Sequence, residues 1–221
     1  MKIHRRITVF TDKYPFIGPL VWILSIQYFV TQFIAATVWP IPYSWAQNVI
    51  SDLGNTACGT YVDRYVCSPS HVLMNTSFLL LGITMAVGSM LIYTEFRRSR
   101  LSFFGFICMA LAGLGTVLVG LFPENTISGF HFIGAFLALG VGNLGMVILA
   151  FAITQARASF RIYTFLSGIL ALTAFNLFAA HVYLGLGSGA MERIASYPQT
   201  VWLILFGLYM TGTRLRARHV N

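Results

Sequence analysis

Three histidines stand out as residues whose spacing could support chemistry. His71 and His131 each open a long apolar run, and His181 follows Arg161 by about 20 residues. At about 1.5 Å per helical residue this is about 30 Å, the thickness of a bilayer core, so all three histidines are expected in one layer. Three imidazoles with one open position are a common arrangement for a catalytic zinc, which activates a bound water. The spacing therefore predicts a metal site, with zinc as the candidate cofactor.

Acidic and polar side chains are expected in or just above the same layer. Asp52 and Glu124 are candidate proton carriers, and Ser51 is a candidate for orienting a ligand. Further candidate ligand-binding residues are Ser44, Asn48, Asn75 and Glu192. The combination predicts a metal-dependent hydrolase that cleaves a lipid amide or ester at the extracytoplasmic face of a membrane.

Other functions remain open at this stage. The chain has no His-x-x-x-His or His-Glu-x-x-His motif, and interfacial histidines also hydrogen-bond lipid headgroups or cap helices. Haem is disfavoured because its ligands usually face each other deeper in a bundle. The alternatives are a non-enzymatic bundle that binds a lipid, a partner membrane protein or a second copy of itself, and, ranked last, a small transporter.

Two cysteines share one predicted outer connection. Cys58 and Cys67 enclose a short polar stretch on the side expected to be oxidising, which favours a disulfide between them. Two unpaired thiols are the alternative. Cys108 lies in the middle of an apolar run, where a small packing residue is expected.

The elements that must position these residues are predicted to be membrane-spanning helices. Hydrophobic residues make up 57% of the 221-residue chain and charged residues 9%, against about 25% charged in soluble domains. The expected fold is all-α: one integral membrane domain over residues 1–221, built as a six-transmembrane-helix bundle. The spans are predicted near residues 15–39, 71–94, 101–122, 131–154, 162–186 and 197–213. Glycines in these spans, such as Gly113 and Gly115, are expected to permit close helix packing.

Basic residues are distributed asymmetrically between the connections. Twelve of the 14 Lys and Arg residues fall in the two tails and in the loops after spans two and four. By the positive-inside rule, both termini are cytoplasmic and the protein is a multi-pass protein of the cell membrane. Each basic cluster abuts an apolar run, which fits contact with anionic lipids and argues against nucleic acid as a partner.

The first outer connection, near residues 40–70, is the longest. Its segment from Ser44 to Leu53 has helical periodicity, with Trp45, Val49 and Leu53 on one face. Gly54 is a natural helix stop. The pattern predicts a short amphipathic helix at the outer membrane surface.

Several strings in the outer half resemble a known family. They are Tyr43-Ser44, Ile50-Ser51-Asp52-Leu53-Gly54, Cys67-Ser68-Pro69-Ser70-His71 with Asn75, and Gly120-Leu121-Phe122-Pro123-Glu124 with His131. They resemble the domain of unknown function 998 family, over nearly the whole chain and most densely from Tyr43 to His131. That resemblance implies six membrane helices. The site chemistry is also similar, more distantly, to the alkaline ceramidase and adiponectin-receptor-like membrane hydrolases, which hold zinc with three His near a Ser and an Asp.

Overall fold

The computed structural model describes residues 2–96 and 99–220, with side chains for residues 7–96 and 99–216. The helices are α1 (Lys2–Lys13), α2 (Ile17–Ile23), α3 (Gln27–Thr37), α4 (His71–Phe96), α5 (Arg100–Leu121), α6 (Ser128–Ala135), α7 (Gly142–Ala152), α8 (Ala158–Ala179) and α9 (Ser188–Val220). A 3-10 turn joins α2 to α3, and a π-helical segment, Phe136–Val141, joins α6 to α7. Six residues of the predicted basic clusters have side chains outside the described range: Lys2, Arg5, Arg6, Arg97, Arg98 and Arg218.

Within the described residues, five helical segments are long and apolar enough to cross a membrane. They are Ile17–Thr37, His71–Phe96, Arg100–Leu121, Ser128–Ala152 and Ala158–Ala179. They overlap with the first five predicted spans, although the fifth ends at Ala179 and not near residue 186, and they confirm an all-α membrane protein. The residues of the sixth predicted span belong to α9, which begins at Ser188, earlier than the predicted start at residue 197.

The helices approach each other closely where glycines meet. A Cβ atom built on Gly113 of α5 would lie 2.6 Å from the carbonyl oxygen of Gly82 on α4. A Cβ atom on Gly134 of α6 would lie 2.6 Å from the carbonyl oxygen of Gly115 on α5. Any larger residue would push these helices apart, so the predicted packing role of Gly113 and Gly115 is confirmed.

The connection between α3 and α4 is folded into the bundle. It contains a 3-10 helix, Ser51–Gly54, and a hairpin of β1 (Gly59–Tyr61) and β2 (Arg64–Val66). The two strands pair in antiparallel fashion, with Thr60 opposite Tyr65. The Cys58–Cys67 disulfide closes the base of this hairpin and confirms the predicted pairing.

The surface helix predicted from Ser44 to Leu53 does not form. The side chains of Asn48 and Asp52 accept hydrogen bonds from backbone N–H groups instead. Asn48 Oδ1 accepts from Ser44 N at 3.1 Å, and Asp52 Oδ2 accepts from Val49 N at 3.0 Å. Such local bonds compete with helical ones, and they leave a turn followed by the 3-10 helix. Ser51 and Asp52 are consequently buried rather than exposed on a polar face.

Candidate functional site

Ser51 and His131 form a hydrogen-bonded pair. Ser51 opens the 3-10 helix, His131 lies in the first turns of α6, and Ser51 Oγ is 3.0 Å from His131 Nε2. His131 Nδ1 is 2.9 Å from the carbonyl oxygen of Phe122. A carbonyl oxygen can only accept, so Nδ1 carries the hydrogen and Nε2 is left to accept from the Ser51 hydroxyl. This is the arrangement in which a histidine can remove a proton from a serine.

The sequence between α5 and α6 explains why the Phe122 carbonyl is free to hold the histidine. Pro123 has no N–H and cannot continue α5, so the helix ends at Leu121. Carbonyl groups in the last turn of a helix have no intrahelical partner. The chain turns back at once into α6, and His131 supplies the missing donor to Phe122.

The Ser51 segment is held by its neighbour Asp52, whose side chain is fully buried. Arg64 on β2 binds both carboxyl oxygens of Asp52, with Nε–Oδ2 and Nη2–Oδ1 distances of 2.7 Å. Asn48 Nδ2 donates to Asp52 Oδ2 at 3.2 Å. The hairpin and the preceding turn thus fix the backbone that carries the serine.

Glu124 forms a second carboxyl group beside Asp52. It is 6% exposed and accepts from Asn55 Nδ2 at 3.1 Å, and its side chain also hydrogen-bonds that of Asp52. Burial, with the nearby Asp52 charge as the next cause, raises the pKa of Glu124 far above its ordinary value. Glu124 is therefore a neutral acid at neutral pH and donates to Asp52, so it braces the loop rather than facing a ligand.

Ser51 lines a cleft with about 480 Å³ of empty volume, a figure that includes open solvent. Ser51 and Glu192 are polar groups in its wall, and Phe78, Leu81 and Val119 are among its apolar ones. Ala138 and Leu139 of the π-helical segment complete one side. Such π segments are rare and frequently occur at functional sites. A cleft lined by apolar side chains together with a few polar ones is the usual form of a small-molecule site.

Glu192 reaches the cleft from α9, although the sequence places it in a loop. Its Oε2 accepts a hydrogen bond from the backbone N–H of Ile50, the residue before Ser51. The next residue, Arg193, is 7% exposed and donates to the carbonyl oxygens of Trp45 at 3.0 Å and Asn48 at 2.8 Å. The start of α9 therefore holds the turn that precedes the serine.

The three predicted zinc ligands do not come together. His131 has both ring nitrogens engaged, whereas His71 Nδ1 is 2.9 Å from the Ser68 carbonyl oxygen and His181 Nδ1 is 3.0 Å from Tyr183 Oη. In residues 2–96 and 99–220, no group of three or more His, Cys, Asp or Glu side chains is arranged to hold a metal. His181 lies beyond the end of α8 in a left-handed conformation with φ 57°. The predicted helix through residue 186 stops at Ala179.

The remaining predicted ligand contacts brace the loop. The backbone N–H of Ser44 donates to the side-chain oxygen of Asn48 within the turn. Asn75 Nδ2 on α4 donates to the carbonyl oxygen of Gly54 at 2.9 Å. Sequence reasoning missed Arg64 and Arg193, which it treats as outer-side charges. The available signal was that Arg64 and Arg193 each stand close in sequence to acidic residues in a largely apolar chain, where a buried charge needs a partner.

The fold and the site together define an all-α membrane protein with a buried polar centre under its long connection. The chain belongs to the family described as Protein of unknown function (DUF998), whose model matches residues 23–209. The matched range includes Ser51, His131 and Glu192 and confirms the resemblance seen in the sequence. No curated protein and no solved structure matches the chain.

Proposed function

We propose that this protein is a membrane-embedded hydrolase that cleaves an acyl bond, an ester or an amide, of a lipid. Ser51 is the nucleophile and His131 is the general base. The observation that carries the proposal is the 3.0 Å hydrogen bond between Ser51 Oγ and His131 Nε2, and Ser51 also lines a cleft in the bundle. Nucleophile, base and a group that orients the base are the elements of serine-dependent acyl transfer.

The reaction proceeds in two balanced halves. His131 Nε2 takes the hydroxyl proton as Ser51 Oγ bonds the carbonyl carbon, and the same proton then passes to the departing alcohol or amine as its bond to that carbon breaks. In the second half, His131 takes a proton from water, the hydroxide attacks the acyl-serine, and the proton returns to Ser51 Oγ as the fatty acid leaves. The Phe122 carbonyl holds the ring through Nδ1 and stabilises the imidazolium that forms in each half.

A lipid substrate follows from the walls of the cleft. Their apolar side chains, such as Phe78, Leu81 and Met85, are suited to an acyl chain, and polar side chains such as Glu192 can bind the acyl bond. The membrane delivers such a chain in the plane of the bilayer. The headgroup then lies toward the β1–β2 hairpin, outside the cleft.

The proposal includes the topology predicted from the sequence. In it α9 supplies the sixth span, both termini are cytoplasmic, and the hairpin and Ser51 lie toward the extracytoplasmic face of the cell membrane. Supporting observations are the Trp202 and Phe206 side chains of α9, which are fully buried in the bundle, and the Cys58–Cys67 disulfide, which suits an oxidising compartment.

The experiment is fatty-acid release by the purified protein in vesicles that contain acyl esters and N-acyl lipids. Ser51→Ala and His131→Gln are each expected to lower turnover by about a thousandfold or more. Ser196→Ala is the matched control, because Ser196 lines the same cleft but bonds Tyr28 instead, and it should retain turnover within about threefold. Full turnover by Ser51→Ala would refute Ser51 as the nucleophile, and lipid that co-purifies without any turnover would refute the hydrolase and favour a binding protein.

A further inference from the structure

Glu192 is a buried carboxyl group in the wall of the cleft. It is 8% exposed, and its Oε2 atom is bound by the N–H of Ile50. Glu192 therefore holds the backbone of the residue that immediately precedes the proposed nucleophile, Ser51. Ser51 and Glu192 both line the cleft, so a substrate that reaches Ser51 enters the cavity that Glu192 faces.

The second carboxyl oxygen of Glu192 lacks a donor. In the part of the chain that the structure describes, Glu192 has no ion pair, and the Ile50 N–H is its hydrogen-bond donor. The neighbouring Arg193 does not serve, because its guanidinium is directed at the backbone carbonyls of Trp45 and Asn48. The second oxygen is not one of the enclosed side-chain atoms without a partner in the described residues, and Glu192 lines the cleft, so a molecule in the cleft can reach the oxygen.

Three other polar side chains of the cleft are hydrogen-bonded within the protein. Tyr28 Oη and Ser196 Oγ are 3.5 Å apart and bond each other, and Thr116 Oγ1 donates to the Ala112 carbonyl oxygen at 2.9 Å. A ligand in the cleft can therefore supply the hydrogen-bond donor for Glu192 Oε1. An ester has no hydrogen at the scissile bond, whereas a secondary amide has one N–H there.

We propose that Glu192 is a specificity-determining residue that selects N-acyl amide lipids over the corresponding esters by accepting the N–H of the scissile amide at Oε1. This rests on the proposed hydrolase for its reaction, but the selection is a property of binding. A site built to hydrogen-bond an N–H discriminates strongly against an analogue that lacks it, because the buried acceptor is then left unpaired.

The test is binding of two lipids to the Ser51→Ala variant, in which turnover cannot interfere. N-palmitoylethanolamine and ethylene glycol monopalmitate differ only in the N–H or O of the acyl bond. Titration calorimetry in detergent is expected to give a Kd about tenfold or more lower for the amide. In Ser51→Ala/Glu192→Gln, one side-chain oxygen can still accept from Ile50, which turns the amide NH₂ toward the ligand and removes or reverses the preference.

The controls separate this proposal from the hydrolase. Ser51→Ala/Thr213→Ala, changed on α9 at an exposed residue outside the cleft, should keep the amide preference, and thermal unfolding shows whether each variant is folded. Equal affinities for the two lipids, or a preference that Glu192→Gln leaves unchanged, would overturn the proposal even if the wild-type protein hydrolyses lipids. Preference without any wild-type turnover would support the role of Glu192 in binding and overturn the hydrolase instead.

Discussion

Arg64 binds both carboxyl oxygens of Asp52 in a two-pronged ion pair at 2.7 Å, one residue from the candidate nucleophile Ser51. Asp52 is completely buried, whereas the Arg64 side chain is 20% exposed at the hairpin. The hairpin therefore neutralises a charge that the bundle could not bury alone. It also ties the position of Ser51 to a part of the chain outside the membrane helices.

Loss of Arg64 is expected to be severe. Arg64→Ala leaves the Asp52 charge buried without a partner, and we expect it to lower the free energy of unfolding by about 3–5 kcal/mol. Arg64→Lys keeps the charge but cannot bind in two-pronged fashion, so a smaller loss is expected. Thermal unfolding in detergent measures both. Asp63→Asn is the control, since Asp63 is 81% exposed and its contact with Arg64 should contribute less than about 0.5 kcal/mol.

The disulfide is expected to stabilise the hairpin that carries Arg64. In the chain-entropy account, closing a loop with a sequence separation of 9 contributes about 2–3 kcal/mol. Cys58→Ser/Cys67→Ser should lose that amount and should no longer respond to a reductant. Cys108→Ala should melt like the wild type and keep its response. A double serine variant as stable as the wild type would contradict the structural role of the disulfide.

Stability is expected to fall as pH rises because of Glu124. Its pKa is raised in the folded protein, by burial first and by Asp52 next, so the folded state holds a proton that the unfolded chain releases. The stabilisation is complete below the ordinary glutamate pKa and is lost as pH rises through the raised value. Melting temperatures between about pH 5 and pH 9 should therefore decline in the wild type.

Glu124→Gln tests that assignment. The amide can still accept from Asn55 and donate to Asp52, but it does not titrate. The variant should lose this part of the pH dependence and should melt above the wild type at the alkaline end. The same alkaline decline in both proteins would show that another group is responsible.

The topology can be checked by labelling in intact cells. Val62, at the tip of the hairpin, is 81% exposed, and Gln155, between α7 and α8, is also exposed. In a Cys108→Ala background, a membrane-impermeant maleimide should label Val62→Cys directly and Gln155→Cys only after the cells are permeabilised. The opposite pattern would invert the proposed orientation.

The membrane spans could be predicted because their signal is local. About 20 apolar residues in sequence are enough to define a span, and Pro123 and the glycines mark an end and close approaches without any tertiary information. The disulfide could be predicted for the same reason, because the two cysteines are only 9 positions apart in one connection. His71 and His131 were also correctly placed at or near the starts of helices.

The pairing of Ser51 with His131 could not be predicted, because the two residues are 80 positions apart and meet only after the outer connection folds inward. The helical pattern from Ser44 to Leu53 was misleading, since side-chain bonds from Asn48 and Asp52 override a weak local preference. Glu192 was assigned to a loop because α9 begins before its apolar part does. The three errors have different causes: a contact between residues 80 positions apart, local side-chain bonds to the backbone, and a helix that begins in a polar segment.

Activation of Ser51 by His131 is the step on which the proposed hydrolysis depends. Its most direct measurement is mass-spectrometric mapping of the purified protein after reaction with a lipid-like fluorophosphonate, which forms a stable adduct with activated serines. We expect one adduct, on Ser51, that is abolished by Ser51→Ala, strongly slowed by His131→Gln and unaffected by Ser196→Ala. Lipid hydrolysis with no adduct on Ser51 would show that Ser51 is not the nucleophile. An adduct that forms equally fast in His131→Gln would show that His131 does not activate it.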